Sequence, residues 1–287
     1  MKQNKNNIYP LDVDKAWNIL YSRLENDRLL PVEQEQSANR ERKLSLQWIA
    51  VAAAVCIGII FSVFHISQNR DNSLMVLQNK DKSGALVTTL NDGSVVYLAP
   101  NASISYPSVF TENQRKVELT GNALFCVAKN DKCPFVIETN EKIMIKVVGT
   151  IFAVQSSPGN PFELSVKEGK VNVQAGAGQE NFSVEAGETA RLTIGKLSKS
   201  VITNPRIFSY FTKKMCFKDE KLNNIVHAIN TMYGSPTIVT DESINNRTLT
   251  VTFDNDSVET MTGLICMALN LEQINKQDTI YIRRISK

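Results

Sequence analysis

Leu86-Val-Thr-Thr-Leu-Asn-Asp-Gly-Ser-Val-Val-Tyr-Leu98 reads as two apolar strands around the turn Asn91-Asp92-Gly93. Gly93 supplies the positive φ that such a short connection needs, so the stretch predicts a β-hairpin. Further strands follow at even spacing: Lys116 to Leu119, Ala123 to Ala128, Phe135 to Thr139, Lys142 to Val147, Phe152 to Gln155, Glu163 to Val166, Lys170 to Val173 and Thr189 to Thr193. Thr120-Gly121, Pro158-Gly159, Glu168-Gly169 and Ala186-Gly187 punctuate them. Residues 85–195 are therefore expected to form an all-β sandwich or roll.

Downstream of residue 205 the period changes. Met215 to Phe217, Thr237 to Thr240, Thr248 to Phe253, Leu271 to Ile274 and Thr279 to Ile282 read as strands. Leu222, Ile225, Val226 and Ile229 form one helical stripe that stops at Gly234. Met261, Leu264, Ile265, Ala268 and Leu269 form another, with Ser257 as N-cap. The order βαβ then βαββ predicts a small α+β domain over 213–287, two helices on one face of a sheet, joined to the β domain by a linker over 196–212.

Upstream, Trp48 to Phe64 carries no charge and only Ser62 as a hydroxyl. Extended to 44–66, it is long enough for one helix across a bilayer, which needs about 20 residues. A cleaved signal is disfavoured, because more than forty residues precede the run and no small-x-small triplet follows Phe64. Arg40, Arg42 and Lys43 on the N-terminal side place that side in the cytoplasm. The expected chain is a single-pass protein of the inner membrane: cytoplasmic arm 1–43, transmembrane helix 44–66, periplasmic stalk 67–84, then the two exported domains.

In the arm, Val13, Ala16, Trp17, Leu20, Tyr21 and Leu24 fall on one face of a helix, with Asp12 or Asp14 as N-cap. So short a helix is marginal alone. Its face with Trp17, Leu20, Tyr21 and Leu24 docks on a partner protein or lies on the membrane surface; the polar face offers only Lys15 and Arg23, which favours the protein.

A net charge of +3, with 32 Lys and Arg against 29 Asp and Glu, gives no basic surface for DNA or RNA. Neither a Gly-x-Ser-x-Gly elbow, a P-loop nor a His-Glu-x-x-His motif is present. With only two histidines, His65 and His227, and no Cys-x-x-Cys pair, neither a cofactor nor a metal is expected, and the chain does not read as an enzyme. Cys126 and Cys133 flank a turn-like Lys-Asn-Asp-Lys segment and face an oxidising space; they either bridge or pack as small apolar side chains.

Val87 to Leu98, Val117 to Lys129, Pro134-Phe135, Val147 to Phe152 and Val166 to Val173, in that order, resemble the FecR-type domain of membrane-anchored anti-sigma regulators. Met215 to Arg283 is similar to the small domain that follows it, itself related to the short N-terminal domain of secretins and TonB-linked receptors. The resemblance implies a transducer that relays occupancy of an outer-membrane TonB-dependent transducer to a cytoplasmic extracytoplasmic-function sigma factor, commonly with stepwise proteolysis. Family members carry a longer cytoplasmic region, of which Leu11 to Leu24 resembles the last part. The competing expectation is an envelope scaffold without sigma-factor output.

Overall fold

The computed structural model describes residues 13–27, 58, 73–176 and 182–285. The chain divides into two units, Met1–Gln68 and Asn69–Lys287.

The first unit contributes α1, Val13–Asn26. Asp14 lies inside its first turn, where a carboxylate favours the helix dipole, so the cap reading fails for Asp14, while Asp12 is outside the described residues. The expected span 44–66 likewise lies outside them, apart from Gly58. Among the described residues no helix is long and apolar enough to cross a membrane.

In the second unit the strands are β1 (Leu74–Gln78), β2 (Ala85–Thr89), β3 (Val95–Leu98), β4 (Ser103–Pro107), β5 (Arg115–Thr120), β6 (Ala123–Cys126), β7 (Phe135–Thr139), β8 (Ile143–Val147), β9 (Ile151–Gln155), β10 (Glu163–Glu168), β11 (Lys170–Ala175), β12 (Phe182–Glu185), β13 (Glu188–Thr193) and β14 (Lys196–Val201). They are followed by α2 (Arg206–Lys213), β15 (Lys214–Lys221), α3 (Leu222–Tyr233), β16 (Thr237–Thr240), β17 (Thr248–Asp254), α4 (Val258–Leu269), β18 (Leu271–Lys276) and β19 (Thr279–Arg284).

Seven strands form one sheet in the order β1-β4-β5-β7-β8-β11-β12, and nine form a second in the order β14-β13-β10-β9-β6-β3-β2-β15-β17. One apolar core, with Leu98, Ile104, Leu119, Phe125, Phe135 and Phe152 fully buried, is formed from both sheets. Phe125 and Phe152 stack at its centre, 5.5 Å apart. The seven-stranded sheet turns its other face to water, and β5 alternates accordingly, Lys116, Glu118 and Thr120 out, Val117 and Leu119 in.

The nine-stranded sheet is covered on both faces around its middle. Val87, Val95, Tyr97 and Leu124 point away from the first core into a second one, shared with Phe211, Phe217, Leu222, Ile225, Ile229, Phe253 and Ile265. All four residues of β3, and all four of β6, are buried. Continuous apolar runs such as Val-Val-Tyr-Leu mark strands covered on both sides.

Here the structure departs from the expected organisation. The C-terminal strands do not make one sheet. β15 and β17 extend the nine-stranded sheet, β15 running parallel to β2 with Met215 opposite Ala85 and Cys216 opposite Leu86. Only β16, β19 and β18 form a separate sheet, β16 parallel and β18 antiparallel to β19. The stretch read as a stalk contains β1, and the stretch read as a linker contains β14 and α2. A strand borrowed from the β domain lets β15 satisfy its edge, which the α+β segment alone could not do.

The local signals fared better. Leu90 N–H donates to Ser94 O and Gly93, at φ +83°, closes the turn, as the hairpin sequence requires. Ser257 Oγ accepts from Thr260 N–H at 3.2 Å to start α4, and Gly234, at φ +72°, ends α3.

Candidate partner-binding surfaces

α1 presents its predicted contacts to solvent. Trp17, Leu20 and Tyr21 are 55%, 45% and 59% exposed, and Leu24 is half-buried. The i, i+4 spacing brings Trp17 and Tyr21 side by side, ring centroids 6.4 Å apart and planes tilted by 51°. The stripe is thus an assembled aromatic and aliphatic surface of the kind that anchors a helix in a groove.

In the second unit the hairpin turn is held from two sides. Asp92 accepts from Ser94 N–H at 3.0 Å and Ser94 Oγ at 2.7 Å, and pairs with Arg115 Nη1 at 2.7 Å. Arg115 enters from the inward face of β5; its Nη1 also reaches Ala128 O, its Nε reaches Cys133 O, and its guanidinium covers the Phe135 ring. Asp92, Arg115 and Cys133 line a cleft of ≈ 720 Å³, with Val109, Phe110 and Lys132. The guanidinium is engaged by Asp92 and two carbonyls through Nη1 and Nε, while its Nη2 is buried with no hydrogen-bond partner among the described residues.

From the other side, α3 lies across the hairpin. His227 Nε2 donates to Gly93 O at 2.9 Å, and the Tyr97 hydroxyl donates to Ala228 O at 3.2 Å. His227 is therefore a tie between the α+β segment and the turn. Burial raises the Tyr97 hydroxyl well above its usual range and pushes the Cys126 thiol up to about 12.

Cys126 and Cys133 do not bridge; both are free thiols. Cys126 packs into the second core, whereas Cys133 Sγ contacts Thr111 O at the cleft. Among the described residues no group of three or more His, Cys, Asp or Glu side chains is arranged to hold a metal. Sequence reasoning singled out neither Arg115 nor its pairing with Asp92. The signal was present, since a charge at the inward position of an alternating Arg-Lys-Val-Glu-Leu strand requires a counter-ion.

The family described as FecR protein matches residues 81–172, and the one described as FecR, C-terminal, matches residues 214–282. With both domains present in this order, the chain belongs to the FecR family. Two crystal structures described as a "putative anti-sigma factor" from Parabacteroides distasonis ATCC 8503 are similar to it at 24% and 23% identity, with TM-scores of 0.46 and 0.44. They cover 74% and 75% of this chain and 100% of their own. No curated protein matches the chain.

Proposed function

We propose that the chain is a membrane-anchored signal transducer of the anti-sigma type, acting by binding rather than catalysis. In this reading residues 44–66 cross the inner membrane. The second unit lies in the periplasm and meets the signalling domain of an outer-membrane TonB-dependent transducer, while α1 contacts an extracytoplasmic-function sigma factor in the cytoplasm. Membership of the FecR family carries the reading, and it is supported by a short helix that exposes Trp17, Leu20 and Tyr21 along one stripe.

The test is co-purification of the detergent-solubilised full chain with extracytoplasmic-function sigma factors of its own cell, beside the Trp17→Ala variant. Removing a central aromatic anchor typically costs about 2 kcal/mol or more, roughly a 30-fold loss of affinity. Capture weakened by Trp17→Ala supports the proposal. No capture by the intact chain overturns the sigma-factor output and leaves the envelope scaffold.

A further inference from the structure

The three sheets end in edges that are mostly guarded. β14 carries Lys196 and Lys199, β18 carries Glu272 and Lys276, β17 ends on Asp254 and β12 on Glu185. β16 lacks a charge, but its Ile238 backbone is occupied by Asn230, whose side-chain amide donates to Ile238 O and accepts from Ile238 N–H, each at 2.8 Å. β1 is different: it ends the seven-stranded sheet, has no charged residue, and exposes Leu74, Met75 and Val76 by 69%, 49% and 71%. An uncharged apolar edge is a template for another strand, and proteins ordinarily blunt one with lysine, proline or a bulge.

We infer that β1 is the seam of a homodimer, pairing antiparallel with β1 of a second copy of this chain. A lipid surface would cover the apolar side chains but leave the edge N–H and C=O groups unpaired, whereas a second strand satisfies both. Identical edges related by a two-fold axis run antiparallel, with one residue opposite its own counterpart. Centring the axis on Val76 pairs all of Leu74 to Gln78.

The occupant follows from the length of the tether, and the inference rests on the anchor reading above. Residues 67–73 separate the apolar run from β1, and seven residues reach at most ~25 Å. Every anchored copy therefore carries β1 in the same shallow layer, in an orientation that a two-fold axis along the bilayer normal preserves. Two short strands bury far less than the ~1,200 Å² of a stable free complex. Confinement, which raises effective concentration toward the mM range, supplies what area does not.

The experiment uses the full chain with Cys56 and Cys133 replaced by serine, reconstituted in phosphatidylethanolamine–phosphatidylglycerol vesicles, with single cysteines placed in turn at positions 74 to 78. Oxidation is expected to give a disulfide-linked dimer with its maximum at Val76→Cys, roughly tenfold above the same chain diluted in detergent. Adding Met75→Lys to that chain is expected to abolish it, with the melting temperature confirming that the fold persists. A chain that sediments with vesicles but gives no maximum at Val76→Cys overturns the seam alone. A chain that stays in the supernatant refutes the anchor and takes the seam with it.

Discussion

The Asp92 carboxylate lies 2.7 Å from Nη1 of Arg115, and the two side chains are only 11% and 3% exposed. The pair fastens the hairpin turn to β5 and to the carbonyls of Ala128 and Cys133. Its two partners are not equivalent under mutation. Asp92→Ala strands a buried cation and is expected to cost about 3 to 5 kcal/mol in urea denaturation of the full chain. Arg115→Met, which removes the charge but keeps the stem on Phe135, with Asp92→Asn in the same chain, is expected to recover more than half of that loss.

Cutting the chain after Thr203 is expected to abolish folding rather than release a stable β domain. The cut removes α2, α3 and β15 and bares Val87, Val95, Tyr97 and Leu124, which otherwise sit in the shared core. Truncated protein should appear in inclusion bodies or bind a hydrophobic dye. The full chain, by the same argument, should show one transition for both family domains in its second unit, followed by near-ultraviolet circular dichroism.

Alkaline pH should weaken the second unit. Cys126 is held up to about 12 by burial, and Tyr97 is raised for the same reason, so the folded state keeps protons that the unfolded state releases. Above the ordinary thiol value of 9.0 stability therefore falls as pH rises, by about 1.4 kcal/mol per pH unit for one group, until the folded thiol itself ionises near 12. The slope between pH 9 and 12 should shrink in Cys126→Ala, measured as denaturant midpoint against pH.

Thiol labelling should separate the cysteines that spacing suggested as a bridge. Native protein at pH 8 is expected to react with a maleimide at Cys133, which is half-buried, and not at Cys126, whose thiol is buried and protonated. Mass spectrometry after proteolysis reads the site. Equal protection of both, reversed by reductant, would restore the bridge.

Losing the Gly169 hydrogen should be costly for a steric reason. At φ +86°, a Cβ there would overlap Thr150 Cγ2 and lie 3.1 Å from Gly149 O. Gly169→Ala is expected to destabilise by about 1 to 3 kcal/mol, the combined scale of positive-φ strain and overpacking. The same substitution at Gly159, also at positive φ but with open space around it, should cost less.

Wherever a single local rule decided an element, the sequence could be read. Asn-Asp-Gly closed the hairpin, Ser257 opened α4, Gly234 ended α3, and alternation marked β5 and β8. β1 was missed because five residues after a polar stretch offer too little periodicity, and β14 because its lysines resemble a solvated loop. The joining of the C-terminal strands to the sandwich was out of reach of element order. Its trace lay in β3 and β6, where Val-Val-Tyr-Leu and Ala-Leu-Phe-Cys fail to alternate, and a strand that fails to alternate has something packed on each face. The helix α1 was legible in the spacing of Trp17, Leu20 and Tyr21, whereas the Asp92–Arg115 contact joins residues that only the tertiary fold brings together.

The parallel seam between β2 and β15 bears on how such chains can be recombined. A chimaera that swaps the two family domains between relatives at residue 205 would ask a foreign β15 to match Ala85 and Leu86, and a foreign α3 to present a donor to Gly93 and a carbonyl to Tyr97. The workable junction lies ahead of residue 73, with both family domains transplanted together as one heritable block.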